Sequence, residues 1–287
     1  MRKLKILITG STGYIGKNFV KKYYRVFNFY PIFHNKKLPS KYFKKSTNYR
    51  NKLDNIKKFI IMSQPDITIH LATNYQKFDN EKKINEIINT NILLGSHLLE
   101  ALTHTKSKKI INIGTIWQNI LNSKKYIPGN FYASTKEAFE KITYYYHLKS
   151  NLSFLNLKLT DSYGGEDKRE KIIPKIINSY KKNETIYLEN KNYKIGLIHI
   201  DDICLALKKS IDLCLNNNKF YFSYALTTKK FYRIIQVIRM IEEIKNIKIS
   251  FKNKGLKTRQ IINKSFKVLP GWKPKISLSE GISKFKI

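Results

Sequence analysis

Tyr132 and Lys136 stand four residues apart in the run Tyr132-Ala133-Ser134-Thr135-Lys136, so on a helix a phenol and an ammonium would share one face. A cation beside a phenol stabilises the phenolate and brings the tyrosine toward the range of a general acid or base. A second group lies near the amino terminus, in Gly10-Ser11-Thr12-Gly13-Tyr14-Ile15-Gly16. There Gly10 permits a tight turn, Gly13 lets backbone approach a pyrophosphate, and Gly16 lets a helix pack closely on a strand. Free N–H groups at such a helix start, with Thr12, Tyr14 and Ile15 alongside, would hold the anion.

Both groups need regular elements to carry them. Strand-like apolar runs alternate with helix-length amphipathic ones from the start, which predicts βαβ units on a parallel sheet. Leu4–Thr9 reads as the first strand, Tyr14–Arg25 as the first helix and Phe29–His34 as the second strand. A helix at Leu53–Ser63, a strand at Asp66–Ala72, a long helix at Ile84–Leu102 and a strand at Lys109–Gly114 follow. Tyr132–Leu148 carries apolar residues at helical spacing, and Ser153–Leu159 is a further strand. Beyond the charged loop Glu166–Lys171 come a helix at Ile172–Lys181, a short strand at Gly196–Ile200 and a segment at Phe231–Lys245. The expected fold class is α/β: a Rossmann-type doubly wound parallel sheet with a smaller C-terminal substrate-binding lobe. Residues 1–165 would form the dinucleotide-binding domain and 166–287 mainly the lobe, with a strand near 220–225 returning to the sheet.

A chain of 287 residues, 42% hydrophobic and 13% aromatic, can bury a sizeable core, which excludes a disordered protein. Its basic and apolar opening ends within a few residues in the glycine turn, so it reads as a strand and not as a signal peptide. No apolar stretch approaches the ~20 residues of a membrane helix. Cys204 and Cys214, without a disulfide framework, suit reduced thiols, and the expected location is cytoplasmic. No Cys, His and carboxylate cluster has metal-ligand spacing. The formal charge of +35 would concentrate anions. Either a basic face binds nucleic acid, or the lysines reflect a composition also rich in Asn, Ile, Tyr and Phe; their spread along the whole chain favours the latter.

An acidic residue at the end of the second strand would bind a free ribose 2′-hydroxyl. The residues there are His34, Asn35, Lys36 and Lys37, which would neutralise a 2′-phosphate, so NADP(H) is expected over NAD(H).

The segments ILITGSTGYIG (6–16), PDITIHLAT (65–73), NTNILLG (89–95), NFYASTKEAFE (130–140), LKLTDSYGG (157–165), LIHIDDI (197–203) and PGWKPKISLSEGI (270–282) resemble the extended short-chain dehydrogenase/reductases, the nucleotide-sugar epimerase, dehydratase and reductase family. The resemblance implies that Tyr132 is the acid/base and that Lys136 holds the nicotinamide ribose and tunes Tyr132. It also implies that Leu71, Ala72, Thr73 and Asn91 lie along the cofactor, and that the chain dimerises through the helices near 84–102 and 132–148.

Within that family, dehydratases carry a Thr-Asp-Glu run where this chain has Ile113, Gly114 and Thr115, so the carboxylates that drive loss of water are missing. Gly-Thr-x-Trp-Gln followed by Asn-x-Tyr-Ala-x-Thr-Lys is instead similar to the reductases that make CDP-linked 3,6-dideoxyhexoses, the abequose and paratose synthases. The family's hydroxyl residue that bonds the reacting oxygen coincides with Ile113. Either Thr115 serves from a shifted register, or that contribution is lost. Trp117, Gln118, Asn119 and Asp161 are expected on the sugar, and Arg169 on the substrate diphosphate with Lys171 and Lys175 behind it. The expected function is NADP(H)-dependent reduction of the 4-keto group of a nucleotide-linked deoxyhexose. A nucleotide-sugar 4-epimerase and a non-catalytic nucleotide- or RNA-binding relative are the alternatives.

Overall fold

The computed structural model describes residues 2–75, 81–120, 126–256 and 266–285. The first half runs β1 (Lys5–Thr9), α1 (Tyr14–Tyr23), β2 (Asn28–Phe33), β3 (Thr47–Asn48), α2 (Leu53–Ser63), β4 (Ile67–His70), α3 (Glu81–Ile88) and α4 (Leu94–Leu102). It continues with β5 (Lys109–Thr115), α5 (Phe131–Ser150), β6 (Ser153–Leu159), β7 (Asp161–Tyr163), α6 (Ile172–Lys181), β8 (Ile186–Leu188) and β9 (Lys194–His199). The last segments are α7 (Ile200–Leu215), β10 (Tyr221–Leu226), β11 (Phe231–Arg233), α8 (Ile234–Lys245), β12 (Phe251–Asn253) and α9 (Leu278–Ser283).

Seven strands form one sheet in the order β10-β6-β5-β4-β1-β2-β3, and every pairing in it is parallel. The doubly wound parallel sheet expected from the sequence is therefore present. The physical cause is legible in the strands: Ile6, Leu7 and Ile8 are all buried, as a strand covered by helices on both faces requires. Ile6 and Ile8 pack with Phe19 of α1 and with Ile203, Leu207 and Ile211 of α7. Leu7 points the other way, into Ile56 and Ile60 of α2, Leu98 of α4 and Phe139 of α5. From β1 the chain winds outward in both directions, to β2 on one side and β4 on the other. A crevice opens at the carboxyl ends of the strands at such a switch point.

A smaller body faces that crevice. Its core joins Ile173 and Ile177 of α6, Leu197 of β9, Val237 and Ile241 of α8 and Ile282 of α9. The three-stranded sheet β11-β9-β7 and the pair β12-β8 belong to this side. Two departures from the expected elements bear on the site. The long helix is interrupted by a π-helical turn at Asn89–Leu93 between α3 and α4, and β7 follows β6 after a single residue, Thr160, turning the chain from the main sheet into the smaller one.

Candidate functional site

The glycine turn closes on the end of β4. Gly10 has φ +67°, and a Cβ there would lie 2.5 Å from the Leu71 carbonyl carbon and the Ala72 nitrogen. A Cβ on Gly16 would strike the Gly10 carbonyl and the Ser11 Cα. Gly13 is different: its Cβ would meet only the Gly10 oxygen, at 3.2 Å, so its other side opens on the crevice. Gly13 also caps α1, with no side-chain hydrogen bond and no acidic residue in the first turn. The first turn of α1, whose N–H groups have no partner one turn back along the helix, therefore borders the crevice. The residues present fit the pyrophosphate of a dinucleotide.

Thr9 and His70 fasten the two strand ends beneath this turn. Thr9 Oγ1 lies 2.7 Å from His70 Nδ1 and accepts from the Ala72 N–H at 3.2 Å. Burial first, and the Lys136 charge second, depress the His70 imidazole to about 3, so it is neutral.

The crevice is a cavity of about 1350 Å³ lined by the glycine turn, by His34 and Asn35, and by Leu71, Ala72 and Thr73. Tyr132, Thr115, Trp117, Asp161 and Arg169 line the same cavity. Lys36 and Lys37 line a neighbouring recess of about 690 Å³ together with Lys17, Lys21 and Lys41, and Thr12 belongs to both.

Asn130 starts α5 by accepting the Ala133 N–H with its side chain at 2.8 Å. The helix then presents Tyr132 to the cavity and buries Lys136. Burial pushes the Tyr132 phenol up, while the nearby Thr73 hydroxyl and the Lys171 charge pull it back and Tyr75 adds to the rise. The Tyr75 ring meets that of Tyr132 edge-on at 5.2 Å. Burial lowers Lys136 to about 8, opposed by the Glu140 carboxylate one turn along.

Arg169 is held before any substrate arrives. Its Nε and Nη2 donate to the two oxygens of buried Asp167, each at 2.7 Å, and Nη2 donates to the Ser162 carbonyl and hydroxyl. Its guanidinium lies 3.6 Å from the centroid of the Tyr14 ring, and Tyr14 donates its hydroxyl to the Gly164 carbonyl at 2.8 Å. Lys171 pairs with Asp161 at 3.0 Å and lies 5.3 Å over Tyr75. Burial works against its charge, but Asp161 outweighs it and raises the ammonium. Lys175 is exposed on α6.

Three sequence candidates stand behind the cavity wall. Gln118 is wholly buried; its Nε2 donates to Glu137 and Glu140, both at 2.8 Å, and its Oε1 accepts the Thr115 N–H at 2.9 Å. Lys158 completes that network with a 2.8 Å bond to Glu140. Asn119 bridges to Ile127 as a short parallel pairing. Asn91, buried in the π turn, accepts from the Thr73 hydroxyl at 3.2 Å and the Asn74 N–H at 2.8 Å. Its Nδ2 donates to the Asn74 carbonyl and to Thr135 Oγ1.

Ile113 faces the cavity from β5 with 9% exposure, and Thr115 two residues on accepts the Trp117 N–H at 3.3 Å as the cap of a short 3-10 turn. Tyr75 and Asp167 were not singled out from the sequence. Tyr75 follows the 65–73 segment as one more aromatic in a chain with 19 tyrosines, and the pairing of Asp167 with Arg169 two residues away is a loop geometry that no periodicity encodes.

The chain is similar to several known proteins. CDP-abequose synthase of Yersinia pseudotuberculosis is 28% identical over 288 residues, 98% of this chain and 98% of its own. CDP-abequose synthase of Salmonella muenchen is 28% identical over 222 residues, 75% of this chain and 74% of its own. Among solved structures, UDP-glucuronic acid 4-epimerase of Bacillus cereus, in complex with UDP-glucuronic acid and NAD, superposes with a TM-score of 0.81 at 21% identity. It covers 97% of this chain and 96% of that one, and the likeness speaks to the fold. Residues 6–219 match the NAD dependent epimerase/dehydratase family, which takes in every element from β1 to α7. With the glycine cradle, the parallel sheet and the Tyr132 and Lys136 pair in place, the chain belongs to the NAD dependent epimerase/dehydratase family.

Proposed function

We propose that the chain is an NADP(H)-dependent reductase of the 4-keto group of a nucleotide-diphosphate-linked deoxyhexose. The observation that carries the proposal is that Tyr132, the glycine cradle, Trp117, Asp161 and Arg169 all line one cavity. A bound nicotinamide would supply the hydride. The chain's own part is to bind, orient and move a proton. Tyr132 would donate its phenolic proton to the keto oxygen and be left as phenolate. Lys136, four residues on, would hold the ribose beside it. Arg169 and Lys171 present positive charge where a substrate diphosphate would lie, and their bonds to Asp167 and Asp161 hold both side chains in place before binding.

Three further features support the details. The five lysines beside Thr12 suit a 2′-phosphate, which favours NADP(H). Ile113, Gly114 and Thr115 supply no carboxylate, which argues against water elimination. Ile84 of α3 and Tyr145 and Leu148 of α5 are exposed apolar residues suited to cover one another in a homodimer, whose mass sedimentation would report.

The deciding experiment is a panel of CDP-, UDP-, GDP- and dTDP-linked 4-keto sugars scored for NADPH oxidation, with both dinucleotide affinities measured alongside. The expected outcome is NADPH oxidation with a 4-hydroxy product. Tighter binding of NADH overturns the cofactor assignment. Tightly retained oxidised cofactor with C4 inversion and no net NADPH use makes the chain a 4-epimerase, and salt-sensitive RNA binding without turnover makes it a binding protein.

A further inference from the structure

Tyr75 is 47% exposed, although it lines the cavity shared by Tyr132, Asp161 and Lys171. So open a ring adds little to the core, and bare aromatic surface inside a cavity is suited to contact a ligand. Its neighbours say which part of a ligand that would be. The Tyr132 ring meets it at 5.2 Å with an interplanar angle of 89°. The Lys171 ammonium lies over it, 5.3 Å from the centroid, and is held there by Asp161 at 3.0 Å. Tyr75 thus adjoins both the proton donor and one of the cations of the proposed reaction. In a nucleotide-linked hexose, C4 and the phosphate-bearing C1 stand at opposite corners of the six-membered ring. A hexose with its C4 oxygen at Tyr132 and its phosphate at Lys171 must then pass alongside Tyr75.

We propose that Tyr75 is a platform for the hexose and selects a sugar that carries a deoxygenated carbon on the edge lying against it. The inference rests on the reductase reading. The carbon surface of a phenol ring has no strong donor or acceptor to offer. A sugar hydroxyl pressed against it gives up water without a replacement bond, which costs binding energy. A methyl or methylene group in the same place loses no bond and covers apolar ring surface that water otherwise meets. Ile113 and Leu159 line the same cavity from the ends of β5 and β6 and add to its apolar surface. Carbons 2 and 3 form one edge of the hexose and carbons 5 and 6 the other, so a deoxy position on the edge that meets Tyr75 is the one selected.

The test measures kcat and KM for matched pairs of 4-keto sugars, 3-deoxy against 3-hydroxy and 6-deoxy against 6-hydroxy. Each pair is offered on whichever of the CDP, UDP, GDP and dTDP carriers the protein reduces. Wild type is expected to favour the deoxy member of at least one pair by about tenfold in kcat/KM. Tyr75→Ala is expected to lower kcat/KM on the favoured sugar by about ten- to a hundredfold, chiefly through KM, and to cut the preference below about threefold. Tyr75→Phe keeps the ring and is expected to recover most of the loss. Tyr75→Asn provides the same deletion if the alanine disturbs folding. Were the ring only a support for Lys171 and Tyr132, both members of a pair would fall together and the preference would survive. That result overturns the proposal, as does a Tyr75→Phe protein no better than the alanine. A wild type that reduces keto sugars without preference in either pair overturns the platform alone. A wild type that reduces none of them overturns the reductase reading and the platform with it.

Discussion

A half-buried phenol whose neutral form is favoured is an acid at neutral pH, and Tyr132 is in that condition. That bias suits protonation of a carbonyl oxygen better than abstraction from an alcohol. Lys171 and Thr73 moderate it without reversing it. Lys136, brought down to about 8 chiefly by burial, would be drawn back toward the charged form by a phenolate or a bound phosphate nearby. Tyr132→Phe is therefore expected to lower kcat on the proposed keto-sugar substrate by about 10²- to 10⁴-fold. The dinucleotide Kd, measured by fluorescence titration, should move by less than about threefold, since the cradle is backbone. A variant that keeps full activity would remove Tyr132 from the proton's path.

At the scale of elements, the end of β5 is sewn to α5 by Gln118, which reaches Glu137, Glu140 and the Thr115 N–H together. Gln118→Leu would leave the buried Glu140 and the half-buried Glu137 short of a donor, and urea unfolding is expected to show a loss of about 1–3 kcal/mol. An unaltered midpoint would mean that Lys158 alone satisfies both. β4 gives a pH-dependent counterpart. His70 is held neutral in the folded chain, near 3 against an ordinary 6.5, so the unfolded chain takes up its proton first as pH falls. Its stabilising contribution is complete above about 6.5 and is lost downward at up to about 1.4 kcal/mol per pH unit. His70→Gln should flatten that limb in urea titrations between pH 7.5 and 5. The strands and helices that carry this machinery were legible because both periods are strong in them: α2 and β6 fall at the residues the pattern gives. The two- and three-residue strands β3, β7, β8, β11 and β12 are too short to show a period of two. The glycine turn was legible because its spacing is dictated by backbone geometry. Gln118 was not, since a polar residue after Trp117 looks the same in sequence whether it faces a sugar or is folded under the floor against partners 19 and 22 residues away.

For the whole molecule, the order of the chain matters as much as its elements. After β6 it leaves the main sheet at Thr160, builds β7, α6, β8 and β9, and returns through α7 to add β10 along β6 as the outermost strand. It then leaves again for β11, α8 and β12, and comes back to set Trp272 into the main core, where its Nε1 donates to the Asp202 carbonyl at 3.0 Å. The two bodies should therefore lose their structure together. Thermal unfolding followed by far-ultraviolet circular dichroism and by fluorescence of Trp117 and Trp272, the chain's 2 tryptophans, is expected to give one shared midpoint. Separate midpoints would mean that the bodies are independent. Being laced through the sheet more than once, the smaller body cannot be lifted away as a cartridge. To turn this fold toward another sugar, one would exchange side chains and loops such as Glu166–Lys171 in place and leave the body where it is woven.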